Sequence, residues 1–207
     1  MSAPHPPIAF DTTGFEREGA SPVWVDPATG YGVNVAVNEG PPFNAAWMAD
    51  LATLRRGFAE MFAGRGCIIE ADLVPFGGVR AVYQVMKMPH PRNPRGTIFA
   101  AVFTLTKATR YAQITAFGAE GNPGDFTGIR ETALFAKLGR PDNWILPHPY
   151  APDLKTALPF HRGDDPAFDA QFPDHPLSWV RAQGRRIHQT ATVAPELANL
   201  PELAGPV

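Results

Sequence analysis

The sequence predicts an α+β domain, an antiparallel β-sheet packed by helices, followed by an irregular Pro-rich extension. Three observations carry that expectation. Four strand-like runs, Ile68–Val74, Val79–Met88, Thr97–Thr106 and Arg110–Phe117, follow one another through short connections, the signature of an antiparallel meander. A stretch with apolar residues three and four apart, Trp47, Leu51, Leu54, Phe58, Met61 and Phe62, precedes them and predicts an amphipathic helix. Finally, no proline lies between Gly96 and Gly121, whereas Pro141, Pro147, Pro149, Pro152, Pro159, Pro166, Pro173 and Pro176 crowd the segment after Gly139. Proline removes a backbone donor and fixes φ, so this segment should run irregular and extended over 140–175.

The elements follow in order. Residues 1–14 read as a disordered terminus. Val23–Val25 and Tyr31–Val37 flank Asp26-Pro-Ala-Thr-Gly30, a turn-rich connection that makes a hairpin. Asn44 is a natural N-cap for the helix that follows, and Gly64 or Gly66 a natural stop. The meander comes next, with Pro89-His-Pro-Arg-Asn-Pro-Arg-Gly96 expected as its long loop. A second helix is expected over Phe126–Leu138, ended by Gly139, and a third over Pro176–Gln189 with Leu177, Val180 and Ile187 on one face. The run Thr97–Thr106 is apolar on both faces: Phe99, Ala101, Phe103 and Leu105 on one, Ile98, Ala100 and Val102 on the other. Both must therefore be covered. The cover on the second side is the tail, an N-terminal segment or another molecule. Residues 15–139 are thus the expected domain and 140–207 a wrapping extension. Its large apolar groups, Trp144, Tyr150, Phe160, Phe168 and Phe172 among them, suit a segment that lies against the domain rather than a free linker.

Composition limits the function. Of 207 residues, 44% are apolar and 18% charged, which excludes a disordered chain. The net charge of −2 gives no electrostatic reason to expect nucleic acid, and no run of about 18 apolar residues predicts a membrane span. The start, Met1-Ser-Ala-Pro-His-Pro-Pro7, carries no basic region followed by an apolar one, so a cytoplasmic location is expected. Usage rich in Ala, Gly, Pro and Arg suits a bacterial source.

The order of hairpin (Val23–Val37), helix (Trp47-x3-Leu51-x2-Leu54-x3-Phe58), strands (Ile68 to Phe117) and closing helix (Phe126–Leu138) resembles the PsbP-like fold, over about residues 15–139. That group includes the DcrB-like proteins and the type VI secretion effector chaperones. The resemblance implies non-enzymatic work as an accessory subunit, assembly factor or binder of partner proteins. In the secretion chaperones the sheet is understood to grip an apolar effector segment, which would suit the doubly apolar strand.

His161, Asp164, Asp165, Asp174 and His175 form the best oxygen and nitrogen ligand set for a divalent metal, although their spacing matches no metal motif. Asp174 also reads as a cap for the third helix. His148, between two prolines, is either a recognition element or part of a strap held down by Trp144 and Tyr150. His188 suits a helix end, where it can bond carbonyls. Cys67 opens a strand as a small apolar residue would. There is no nucleophile elbow and no glycine-rich phosphate loop, and no cofactor is called for. Between Asp72 and Glu120 no acid occurs, while Arg80, Lys87, Arg92, Arg95, Lys107 and Arg110 make the sheet basic; Asp142, Asp153, Asp164, Asp165, Asp169 and Asp174 make the tail acidic. Either the tail docks on its own sheet, or the loop bearing Arg92 and Arg95 meets an anionic partner. The functional expectation is a non-catalytic module that binds another protein through Phe99, Phe103 and Leu105 or through Arg92 and Arg95. The alternatives are a small metal-dependent enzyme using the His161–His175 cluster and a structural subunit of a larger assembly.

Overall fold

A computed structural model of the chain describes residues 6–120, 129–139 and 142–203. Its elements are antiparallel sheets with helices packed on them, the α+β class expected. The main sheet has seven strands. β2 (Glu16–Arg17), β3 (Val23–Val25) and β4 (Gly32–Glu39) form one meander, and β5 (Cys67–Phe76), β6 (Val79–His90), β7 (Asn93–Leu105) and β8 (Arg110–Ala119) the other. Their spatial order is β2-β3-β4-β8-β7-β6-β5, so β4 and β8 join the two meanders and β5 is an outer edge.

Local chemistry explains the turns. In the β3–β4 connection Asp26 accepts from the Ala28 N–H at 2.9 Å and the Thr29 hydroxyl at 3.0 Å. Between β5 and β6, Gly77 and Gly78 have φ of 54° and 86°, left-handed values that only glycine adopts freely and that match the twist of a two-residue hairpin. The expected long loop Pro89–Gly96 is mostly strand instead, with its turn confined to Pro91 and Arg92. Prolines are tolerated there because β7 pairs with β8 only from Ile98 onward, so the missing N–H of Pro94 breaks no central ladder.

The first expected helix is divided. A short 3-10 turn, Ala45–Ala49, is capped by Asn44, and α1 (Leu51–Phe62) starts afresh at Asp50, whose backbone is extended (φ −157°, ψ 164°). The Asp50 carboxylate accepts from the Thr53 N–H at 2.8 Å and the Thr53 hydroxyl at 2.7 Å. A side-chain cap outcompetes helix continuation at this point. Trp47 then folds back onto α1, edge-on to Phe58 at 5.2 Å and stacked on Phe43. Leu54 and Phe58 of α1 pack against Ile68, Ala71 and Val82 of the sheet, covering one face.

The other face is covered by α3 (Pro176–Thr190), which crosses β7 and β8. Leu177, Trp179, Val180 and Ile187 enter the larger core with Val33, Val35, Phe103 and Ile114. Phe99, Phe103 and Leu105 lie in that core at 5, 2 and 0% exposure, so the apolar sheet face expected to receive a partner is filled by the chain's own helix. The tail is structurally part of the domain rather than an addition to it. The N-terminus departs from expectation similarly: β1 (Ile8–Ala9) pairs with β9 (Thr192–Val193), and Ile8 is fully buried. Residues 1–5 of the expected disordered segment lie outside the described residues.

Of the second expected helix, α2 (Ile129–Leu138) is described and residues 126–128 lie outside the described residues; Gly139 ends it at φ 70°. A final turn, α4 (Pro195–Ala198), precedes a C-terminal stretch held by Lys107, whose ammonium bonds the Ala198 and Leu200 carbonyls and the Glu202 carboxylate. Among the described residues no helix is long and apolar enough to cross a membrane.

Candidate functional site

Lys87 interrupts an apolar strand, and its side chain sits on the same face as Phe99, its neighbour across the ladder. It is 2% exposed and spans both oxygens of Asp164, itself 1% exposed, at 3.0 and 2.7 Å. Taking two charges out of water is tolerated only where further hydrogen bonds complete them. Here the His161 N–H donates to the same carboxylate at 2.9 Å. This is the tail docking on its own basic sheet.

Two buried guanidinium groups extend the network. Arg181 of α3 donates to Glu70 of β5 at 2.6 Å, to Asp169 at 3.0 Å and to the Asp164 carbonyl at 2.7 Å. Arg130 of α2 donates to Asp169 and to the Ser178 hydroxyl at 2.8 Å each, and to the Asp165 carbonyl at 2.7 Å. The planar fork of each Arg thus ties three elements together. His161 completes the set: its ring stacks on Trp144 at 5.3 Å, and its Nε2 meets the Glu131 carboxylate at 2.5 Å. Burial pushes the Glu131 carboxyl up, but the hydrogen bond from His161 and the charges of His161 and Lys87 outweigh it and hold the group below its ordinary value.

Beside this network opens a cavity of about 490 Å³. Ile69, Leu138, Leu146, Phe160 and Phe168 give it apolar walls, with Glu70, Arg162 and Arg181 among its polar lining. A second cavity of about 250 Å³ continues along α3, over Val74, Tyr83 and Phe103, and shares Glu70, Pro166 and Arg181 with the first. Leu138, at the first cavity, is 43% exposed, and Ile145, next in sequence to the wall residue Leu146, is 64% exposed.

The five residues read as metal ligands do not converge. His161 and Asp164 are neighbours, but Lys87 occupies the Asp164 carboxylate. Asp165 caps the turn Pro166–Gln171 by accepting from the Ala167 N–H, Asp174 is exposed, and His175 pairs with Glu120 at 2.8 Å. Among the described residues no group of three or more His, Cys, Asp or Glu side chains is placed to hold a metal ion. The cap of α3 is His175, whose Nδ1 accepts from the Leu177 N–H, and not Asp174. Arg92 is exposed at the β6–β7 turn, and the Arg95 side chain lies outside the described residues. His188 bonds the Pro75 carbonyl of β5 at 2.7 Å rather than its own helix end. Burial pushes the Cys67 thiol up to about 12, which keeps it protonated near neutral pH.

The edge strand β5 is closed to strand addition. The outward Ala71 N–H donates to the Tyr150 hydroxyl at 2.9 Å, and the Ala71 carbonyl accepts from Arg55 at 2.8 Å. Leu73 N–H is taken by Asp72, Pro75 has no N–H, and His188 takes the Pro75 carbonyl. An edge on which these backbone groups are already taken offers an incoming strand only an interrupted ladder.

Sequence reasoning missed Glu70, Arg130, Glu131 and Arg181, and gave Asp169 only as one of the tail's acids. One signal was present: Arg181 falls between Leu177 and Gly184 on the buried stripe of α3, where a solvated charge does not belong. No protein-family model and no curated protein matches the chain, so the site stands on its own chemistry.

Proposed function

We propose that this protein is a non-catalytic protein-binding module, an adaptor, chaperone or immunity-type accessory protein, and that its partner sits in the cleft between α2, α3, β5 and the segment 142–172. The open apolar cavity with Leu138 at its wall, and Ile145 exposed next in sequence to the wall residue Leu146, supports this reading best. Exposed apolar groups around a concavity are the usual mark of a contact surface. The buried charges beneath it, Lys87, Asp164, Arg130 and Arg181, are each held in an ion pair and act as a rigid floor that holds the cleft open. The resemblance to the PsbP-like and secretion-chaperone group belongs to the same proposal and favours an accessory role. With the sheet face filled and the β5 edge closed, recognition would proceed through side chains in the cleft.

The test compares capture of partners from a host lysate by the full chain and by its Leu138→Asp and Ile145→Asp variants. A partner held by the parent and lost from both variants, with thermal midpoints unchanged, supports the reading. Equal capture by all three would overturn it.

A further inference from the structure

The two cavities are not one round pocket. They lie in a row along α3, separated by the Glu70–Arg181 ion pair, and both have apolar floors. A divided cleft suits a chain that offers two side chains in succession better than a single compact molecule. In an extended chain, residues i and i+2 point the same way about 7 Å apart.

The charges around the cleft are unequal in what they have left to give. Glu70 is spent on Arg181, Asp164 on Lys87, and Asp165 accepts from the Ala167 N–H. Arg162, by contrast, uses only its Nε, on the Asn143 carbonyl, among the described residues. Arg185, exposed at the second cavity, has no hydrogen bond or ion pair among the described residues. Each cavity therefore carries one guanidinium with free donors. Such groups recognise carboxylates, and complementary charge sets both register and choice of partner.

Resting on the partner-binding reading above, we propose that the occupant is an extended acidic segment of a partner protein, which places one large apolar side chain in each cavity and carboxylates against Arg162 and Arg185. The spent β5 edge means that side chains, not a backbone ladder, carry the recognition.

Two labelled synthetic peptides test this by fluorescence anisotropy on the full chain: Glu-Phe-Ala-Phe-Glu and Lys-Phe-Ala-Phe-Lys. The acidic peptide should bind saturably, about tenfold or more tighter than the basic one, and weaken as salt rises. The double variant Arg162→Gln/Arg185→Gln should lose that preference. Leu146→Trp, which fills the first cavity, should weaken both peptides. Equal binding of the two peptides would overturn the acidic assignment while leaving an apolar seat for a partner. Absence of binding by either would overturn it too, and the lysate experiment with Leu138→Asp and Ile145→Asp would still decide the broader reading.

Discussion

Three histidines of this chain precede a proline within the described residues, and all three make the same local bond. The Nδ1 of His90, His148 and His175 accepts from the N–H of Arg92, Tyr150 and Leu177, at 3.1, 3.2 and 3.2 Å. A residue before proline is held extended, which brings its side chain alongside the N–H two positions on, as in an Asx turn. At His148 the bond needs an unprotonated Nδ1, so acid should break it there. His148 is the sharpest case: it is buried, its Nε2 has no partner among the described residues, and desolvation lowers its pKa from the ordinary 6.5. Between that lowered value and 6.5 the unfolded chain binds more protons than the folded one. Stability therefore rises with pH through this window and is lost as pH falls below about 6.5. His148→Asn, which keeps an acceptor for the Tyr150 N–H, should flatten the dependence of the urea midpoint between about pH 7.5 and about pH 5 relative to the parent. Parallel profiles would refute the assignment. The Lys87–Asp164 pair makes a second residue-scale prediction. Lys87→Met leaves a buried carboxylate without its cation and should cost about 3–5 kcal/mol in urea unfolding. Adding Asp164→Leu should recover much of that loss, because the uncompensated charge, more than the lost attraction, is what destabilises.

At the level of elements, Gly57 shows packing overriding propensity. Glycine inside a helix is ordinarily about 1 kcal/mol worse than alanine. A Cβ at Gly57, however, would lie 2.4 Å from Trp47 Cε2, so alanine there must displace the indole that seals α1. Gly57→Ala should therefore lower the thermal midpoint, whereas propensity alone predicts a rise. The β5 edge supplies the complementary case. Tyr150→Phe removes the acceptor for the Ala71 N–H and should destabilise by about 1–3 kcal/mol. It should also promote concentration-dependent association, visible by light scattering, since it reopens an edge. These elements differ in how far the sequence exposed them. The six longer strands and α3 were legible because apolar runs and helical spacing are local signals, whereas β1, β2 and β9, of two residues each, leave no such run. The break at Asp50 was missed although Asp50-x-x-Thr53 is itself a capping pattern; the uninterrupted apolar spacing across Trp47 and Leu51 masked it. Of the candidate site only the segregation of charge was legible, Lys87 in a basic sheet and Asp164 in an acidic tail, and not which groups pair. Lys87 and Asp164 are 77 residues apart, and Arg181 and Glu70 are 111 apart, so neither pair leaves a local trace.

For the whole molecule, the question is whether the first 139 residues could stand without the rest. Sequence composition favours a boundary at Gly139, since proline density changes there. The core argues otherwise. Leu177, Trp179, Val180 and Ile187 cover the sheet face that contains Phe99, Phe103 and Leu105, and Ile8 at the other end of the chain is sealed by β9. Each large apolar side chain withdrawn from water contributes roughly 1.5–3 kcal/mol, while an entire domain holds only about 5–15 kcal/mol. Losing α3 alone thus removes stabilisation comparable to the total, and losing the rest of the tail as well strands Lys87 in the sheet without Asp164. A fragment ending at Gly139 should accordingly be insoluble or lack a cooperative thermal transition. Co-expression with a second fragment from Arg140 to Val207 should restore a soluble complex, because the docking surfaces are complementary in both shape and charge. A fragment ending at Gly139 that unfolds cooperatively on its own would show that α3 and the tail are a removable cover. The filled sheet face would then become available to a partner after all.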